Sequence, residues 1–178
     1  LSFLNMPDVK IVVDRKKGKL TSSGMDTIEF LISANRGETP KPLAKIASGG
    51  ELSRIMLALK SVLADRDFVP TLIFDEIDTG VSGRAAQKIG IKLREISQKH
   101  QVICVTHLAQ IAALGDSQYL VEKTVKDGHT GSSVRRLDEE GRVGELARLV
   151  GGADDSASGR EHARSMLAAA ETLKKKRF

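Results

Sequence analysis

An α/β fold is the class that the sequence predicts, with a parallel sheet flanked by helices and an antiparallel β region beside it. Two short apolar runs, "TLIF" at 71–74 and "VICVT" at 102–106, are typical of strands buried on both faces of a parallel sheet. A helical pattern over 84–99 separates them and gives a strand–helix–strand unit. Further β-rich runs lie on both sides of this unit.

Length and composition predict one folded domain over residues 1–178, because 40% of the residues are apolar and 29% are charged. No apolar run approaches the roughly 18 residues of a membrane span, so we expect no membrane partner and a cytoplasmic location. The chain begins with Leu1 rather than Met, which suggests a piece of a longer protein.

The first elements are a hairpin and a helix. The runs "VKIVVDRKKGKL" and "DTIEFLISA" flank a turn region and predict two antiparallel strands. After "TPKP", a helix is predicted from Glu51 to the "DRD" and Pro70 that end it. Its apolar residues have the spacing of one buried face, and they are Leu52, Ile55, Met56, Leu59, Val62 and Leu63.

The last third of the chain predicts a short helix, a hairpin and two more helices. The short helix covers 108–114, and the hairpin "SQYLVEKTVK…SSVRRL" turns at "DGHTG". The final helices cover 143–150 and 158–175.

The segment "SGGE" at 48–51 has two compatible interpretations. In a capping box, Ser48 would accept a bond from a backbone N–H three residues on, and Glu51 would reach back. A cap does not explain Gly49 and Gly50, each of which costs about 1 kcal/mol of helix propensity. Glycines at a helix start allow backbone N–H groups to meet a phosphate directly.

Acidic side chains follow the first apolar strand, in "LIFDEID". They could form a solvated loop, or they could lie at the carboxyl end of a parallel strand, where α/β sheets bind ligands. In the second case Asp75 could hold Mg²⁺ and Glu76 could deprotonate a water molecule. Strand alternation would direct these two side chains to different sides.

Thr106 and His107 end the second apolar strand in the same way. A lone histidine is usually structural or merely exposed, but neighbouring strands would bring His107 close to the ligand of Glu76. The other histidines are widely separated and predict surface positions rather than a metal site: His100, His129 and His162.

Cysteine content and charge are less informative. Cys104 lies in an apolar strand-like run and is predicted to be a reduced core residue. The net charge of +5 favours a polyanionic partner such as DNA. The basic residues cluster only at the end of the chain, where a DNA contact and a solvated helix end remain alternatives for Lys174, Lys175, Lys176 and Arg177.

Taken in order, these motifs resemble the second half of an ABC-type ATPase, a P-loop NTPase fold. "SGGE" is similar to the ABC signature, "TLIFDE" to the Walker B strand, "IDTG" to the D-loop and "VTHL" to the histidine switch loop. The closer resemblance is to the RecN family of bacterial SMC-like DNA repair ATPases. It rests on "FLISANRGETPKPLAKIASGGELSRIMLALK", "LIFDEIDTGVSGRAAQKIG" and "VTHLAQIAALGDSQYLVEK", and it is weakest over residues 1–23.

The resemblance implies the carboxyl-terminal half of a head whose amino-terminal half precedes a long coiled coil, with residues 1–23 as the expected junction. It implies a homodimer of heads that sandwiches two ATP molecules. Asp75 would lie in the Mg²⁺ shell through water, Glu76 would be the general base, and His107 would contact the γ-phosphate. The signature residues would approach the nucleotide of the opposing head, and they are Ser48, Gly49, Gly50 and Glu51. The D-loop residue Asp78 would communicate across the interface.

In the family this cycle is coupled to DNA binding and to end-joining or bridging in double-strand break repair, so the resemblance also implies DNA as a partner and a nucleoid-associated location. Ala47 and Glu51 replace the Leu and Gln of transporter signatures, and Thr79-Gly80 replaces the usual D-loop ending. Both departures resemble RecN.

The phosphate-binding loop of such ATPases, G-x-x-x-x-G-K-[ST], is absent from the sequence. The only Gly-Lys pair, Gly18-Lys19, is followed by Leu20 and has Val13 where the first glycine should be. The amino-terminal half would have to supply this loop, and this chain alone should not hydrolyse ATP.

Two alternatives stay open. One is the head of another SMC-like or ABC ATPase, such as a nuclease-associated repair ATPase or a transporter subunit, although "TGVSGRAAQKIG" lacks their Ala-Leu-Asp ending. The other is a dimerisation module without catalysis, which the presence of Asp75, Glu76 and His107 disfavours.

Overall fold

The structure is a computed structural model that describes residues 1–33, 36–45, 48–64, 66, 68–126, 129–152 and 156–175. Within these residues, the strands form two antiparallel regions and one parallel pair. The helices described include none that is both long and apolar enough to cross a lipid bilayer.

The amino-terminal region is the predicted hairpin. β1 (Lys10–Thr21) pairs antiparallel with β2 (Gly24–Ser33), which also pairs with the short β3 (Lys41–Pro42). β1 contains the Lys/Gly run of the first predicted stretch, and the turn lies at residues 22–23. Residues 1–23 consist of a 3-10 helix at Ser2–Leu4, a connecting segment, β1 and the start of the turn, and Leu4 and Met6 are buried.

The strand–helix–strand unit is confirmed. β4 (Thr71–Phe74) and β5 (Gln101–Cys104) are parallel neighbours in the register Thr71↔Gln101 to Phe74↔Cys104, and α2 (Gly83–Ile96) connects them. Leu72 and Phe74 of β4 pack with buried residues of α2 in the largest hydrophobic cluster. This cluster holds the carboxyl ends of the two strands side by side.

The prediction that both strands are buried on two faces is wrong for this chain. The opposite face of the pair is open to solvent. Ile73, which lies between Leu72 and Phe74 in β4, is 69% exposed, and Ile103 and Val105 in and after β5 are also exposed. Parallel sheets ordinarily have both faces covered. In this chain one face is packed by α2, and the other is an open apolar surface.

α1 (Gly49–Leu63) is the predicted helix, but its buried face differs from the predicted one. Ile55 is buried as expected, whereas Met56 and Leu63 are exposed and Val62 is 83% exposed. Leu57, outside the predicted stripe, is fully buried in the main cluster. The exposed side of α1 borders a groove lined by Leu52, Ser53, Met56, Lys60, Leu72, Ile73 and Phe74. Two of the residues predicted to end this helix, Asp65 and Asp67, lie outside the described residues.

The last third agrees with its predicted order. α3 (Ala109–Ala112) precedes the hairpin of β6 (Tyr119–Lys126) and β7 (His129–Arg136), followed by α4 (Glu139–Gly151) and α5 (Ala157–Lys175). α4 begins earlier than predicted because Asp138 caps it, with its Oδ1 accepting from the N–H of Gly141 at 2.8 Å. The predicted turn residues Asp127 and Gly128 lie outside the described residues.

His100, one of three histidines predicted at the surface, is instead buried, and its Nδ1 is hydrogen-bonded to the carbonyl oxygen of Val69 at 2.7 Å. His162 is exposed as predicted, and the side chain of His129 lies outside the described part of the chain. Cys104 is partly buried, and burial raises the pKa of its thiol to about 12. This agrees with an inert, reduced cysteine.

The basic end of the chain is only partly free for a DNA contact. The side chain of Lys174 is largely buried, and its Nζ donates to the carbonyl oxygen of Gly115 at 3.0 Å and to Glu171 at 2.8 Å. Lys175 is exposed. Lys176 and Arg177 lie outside the described residues. Lys174 is therefore not a solvated helix end, because its ammonium group is bound within the chain.

Candidate functional site

The carboxyl ends of β4 and β5 meet at one edge of the parallel pair, as predicted. The N–H of Val105 donates to the carbonyl oxygen of Phe74 at 2.9 Å, so the strands stay paired up to the start of both loops. Asp75 and Glu76 follow β4, and Thr106 and His107 follow β5. The loops that carry the predicted site residues are therefore neighbours.

The Asp75–Glu76 step is a sharp turn at the end of β4. Asp75 and Glu76 are both exposed, and Asp75 Oδ1 accepts from the N–H of Glu76 at 2.9 Å. Glu76 has φ 56°, a left-handed conformation that costs roughly 1–3 kcal/mol for a residue other than glycine. β4 ends at Phe74, so strand alternation does not direct these side chains, contrary to the prediction.

The two glycines in the first turn of α1 are explained by close packing of this turn against the loop after β4. The predicted cap is present, since Ser48 Oγ accepts from the N–H of Glu51 at 3.4 Å. A Cβ on Gly49 would lie 2.3 Å from Glu76 Oε2, and a Cβ on Gly50 would lie 2.9 Å from the carbonyl oxygen of Glu76. The glycines allow the helix to lie directly against the acidic loop.

Asp78 is buried within the chain. The residue is only 2% exposed. Its carboxylate oxygen Oδ2 accepts hydrogen bonds from Thr106 Oγ1 at 2.5 Å and from the N–H of His107 at 2.9 Å. His107 Nδ1 lies 3.1 Å from the same oxygen, while the His107 side chain is 69% exposed. Asp78 thus ties the β4 loop to the β5 loop and leaves the outer edge of the imidazole open to solvent.

Two residues that sequence reasoning missed also hold the acidic loop. Ser53 Oγ donates to the carbonyl oxygen of Asp75 at 2.7 Å, and Arg54 Nη1 donates to the carbonyl oxygens of Ile77 and Thr79. Both lie on α1, beside the apolar stripe by which the helix was predicted. The helical spacing of apolar residues predicts which face of a helix is buried. It gives no information about polar side chains that bind main-chain carbonyls, so these two contacts could not be predicted.

A metal ion could be held here only with help from a ligand. Within the described ranges, no group of three or more histidine, cysteine, aspartate or glutamate side chains could hold a metal ion. Asp75 offers one exposed carboxylate beside Glu76. Mg²⁺ is commonly bound by one or two carboxylates, water and substrate phosphates, so this donor set fits Mg²⁺ that arrives with a phosphate ligand.

Comparison with known proteins connects this geometry to one family. The chain is 44% identical to DNA repair protein RecN of Bacillus subtilis over 163 residues, which are 92% of this chain and 28% of that relative. It is 52% identical to DNA repair protein RecN of Mycobacterium tuberculosis over 84% of this chain and 26% of the relative. The chain therefore spans between a quarter and a third of the length of these relatives. No protein-family model matches it.

Solved structures show the fold independently. An Smc head domain with a coiled coil and joint from Pyrococcus yayanosii matches 86% of this chain and 27% of that one, with a TM-score of 0.58 and 22% identity. The Smc head domain with an extended coiled coil from Pyrococcus furiosus, bound to the C-terminal domain of ScpA, matches 78% of this chain and 33% of that one, with a TM-score of 0.52 and 23% identity. This chain is therefore similar to RecN proteins over most of its own length, and its fold is that of the carboxyl-terminal half of an ABC-type ATPase head.

Proposed function

We propose that this chain is part of an ATP-binding and ATP-hydrolysing head that works with Mg²⁺ in the repair of DNA double-strand breaks. One observation carries the proposal: Asp75, Glu76 and His107 are exposed on adjacent loops, and the Gly-rich start of α1 contacts Glu76. Carboxylates and a histidine at the carboxyl ends of parallel strands are placed to meet a ligand there. The relatives are DNA repair proteins by name.

Each side chain has a role that its environment supports. Asp75 would hold Mg²⁺ through water, and the ion would supply neutralisation of phosphate charge. Glu76 would accept the proton of the attacking water, since its carboxylate is exposed. His107 would contact a terminal phosphate with its exposed Nε2 edge, because Nδ1 faces Asp78.

The missing phosphate loop would come from an amino-terminal half that packs on the open face of the sheet. Ile73, Ile103 and Val105 form an exposed apolar surface on this face, and Met56 extends it onto α1. Exposed apolar patches of this kind mark contact surfaces, and parallel strands need cover on both faces. An amino-terminal half that covers this surface would complete both the sheet and the site.

A head-to-head dimer would then place the start of α1 on the nucleotide of the opposing head. Ser48, Gly49 and Gly50 would present a hydroxyl and backbone N–H groups to its γ-phosphate, with the positive end of the helix behind them. Asp78 would act on this interface only indirectly, because its carboxylate is buried. DNA binding would be coupled to this dimerisation, in the cytoplasm at the nucleoid.

Replacement of Ser48 by Ala tests the dimer. In the complete protein, we expect ATP-dependent dimerisation to weaken by about 1.5–3 kcal/mol, because a hydrogen bond to a charged phosphate is lost. Sedimentation with and without ATP measures this change. Asp138→Ala is the matched control, since it removes the cap of α4 far along the chain and should leave dimerisation unchanged. Equal dimer affinities for Ser48→Ala and the parent protein would refute the assigned contact.

A further inference from the structure

Arg54 is a buried cation on α1. It is 7% exposed, and burial lowers the pKa of its guanidinium, with the charge of Glu51 acting in the opposite direction. Its Nη1 donates to the carbonyl oxygen of Thr79 at 2.8 Å and to that of Ile77 at 3.2 Å. Its Nε has no hydrogen-bond partner in the described part of the chain.

The two carbonyls that Arg54 binds lie on either side of Asp78. Asp78 in turn accepts hydrogen bonds from Thr106 Oγ1 and from the N–H of His107, and its carboxylate lies 3.1 Å from His107 Nδ1. A continuous path of polar contacts therefore runs from α1, through the loop around Asp78, to His107. The same helix begins with the two glycines that contact Glu76.

Space filling does not account for a guanidinium at this position. Taking a charge out of water is costly, and an apolar side chain of similar size often serves as well or better where only packing is needed. A planar cation that binds the carbonyls of Ile77 and Thr79 restrains the loop on both sides of Asp78. This restraint acts on the loop from which Asp78 contacts Thr106 and His107.

We propose that Arg54 is a positioning residue that fixes the Asp78 loop and, through it, the imidazole of His107. The proposal rests on the function proposed above for His107. A movement of the start of α1, when an opposing head binds there, would be passed by Arg54 to the loop that carries His107. Arg54 would contact neither nucleotide itself.

A double-mutant cycle in the complete protein tests this role. Arg54→Met removes the donors while keeping length, and we expect it to slow single-turnover ATP hydrolysis by about 3- to 30-fold. In the background of His107→Gln, the same substitution should have no further effect, because Arg54 acts through His107. Arg54→Lys, which retains a donor, should restore part of the rate. If the rate reductions caused by Arg54→Met and His107→Gln multiply in the double variant, the two residues act independently and the proposal is overturned.

Hydrogen exchange in the complete protein supplies a readout that does not depend on ATP turnover. Arg54→Met should accelerate exchange of the His107 amide, which donates to Asp78, by at least about 3-fold. Arg142→Met is the matched control, because Arg142, which is partly buried, likewise donates to two carbonyls, those of Ala113 and Gly115, and has an unpartnered Nε in the described structure. It should leave the His107 amide unchanged.

The two measurements separate the two ideas. Faster His107 exchange in Arg54→Met, in a protein whose turnover does not respond to His107→Gln, would overturn the proposed function and retain the link from Arg54 to His107. Unchanged exchange in Arg54→Met would overturn the link, whatever the turnover.

Discussion

Replacement of Glu76 by Gln in the complete protein is expected to reduce ATP turnover by roughly 10²–10⁴-fold, the usual contribution of a positioned general base. Gln keeps the length and shape of the side chain but cannot accept the proton of the attacking water. ATP should still bind, so ATP-bound dimers should accumulate. Turnover assays and sedimentation with ATP measure the two effects on the same preparation.

The left-handed backbone at Glu76 makes this substitution a clean one. The backbone strain at φ 56° is similar for Gln and Glu, so the fold should be retained. Glu139→Gln, an exposed glutamate in the first turn of α4, is the matched control and should turn over ATP normally. A Glu76→Gln protein with unchanged turnover would remove Glu76 from catalysis.

Gly50→Ala is expected to have the largest effect on stability among the glycine substitutions in α1. The new Cβ would lie 2.9 Å from the carbonyl oxygen of Glu76 and 2.9 Å from Thr79 Cβ, and the first of these obstacles is backbone. Overpacking of this kind costs about 1–3 kcal/mol, against a gain of up to about 1 kcal/mol in helix propensity. We therefore expect a lower melting temperature and a displaced acidic loop.

Gly144→Ala in α4 is the control for helix propensity. Its Cβ would meet only Arg160 Nη1 at 3.7 Å, an ordinary contact, so this substitution should stabilise the protein by up to about 1 kcal/mol. Thermal unfolding of both variants measures the difference. A Gly50→Ala protein as stable as Gly144→Ala would contradict the close packing of α1 on the loop.

Hydrophobic patterns were sufficient to predict the order of the elements. The parallel pairing of β4 and β5 follows from two apolar runs joined by a helix, and it places Glu76 and His107 at one edge of the sheet. The capping bond of Ser48 follows from the "SGGE" pattern. These features depend on residues that are close in sequence or on a rule of connection.

Exposure could not be predicted in the same way, because it depends on what covers each surface. From the sequence we expect Ile73 in the core, but it is exposed because no element of the described structure covers its side of the sheet. His100 reads as a surface residue and is buried, since a distant carbonyl at Val69 accepts its hydrogen bond. Asp78 reads as part of an exposed acidic loop and is buried by its bonds to Thr106 and His107.

The glycines of α1 show a limit of another kind. Their cost in helix propensity signalled a close approach, and a phosphate was the natural candidate. The described structure supplies a partner inside the chain, the loop from Glu76 to Thr79. A helix start packed on this loop remains compatible with a phosphate of an opposing head, because Gly49 is exposed.

The rate of ATP hydrolysis by this chain, alone and co-purified with an amino-terminal half that carries the phosphate loop, tests the central claim most directly. We expect turnover only in the pair, and we expect its loss when Ile73 is replaced by Lys, because a charge would be buried on the surface that joins the halves. Turnover by this chain alone, at the rate of the pair, would contradict a site divided between two halves.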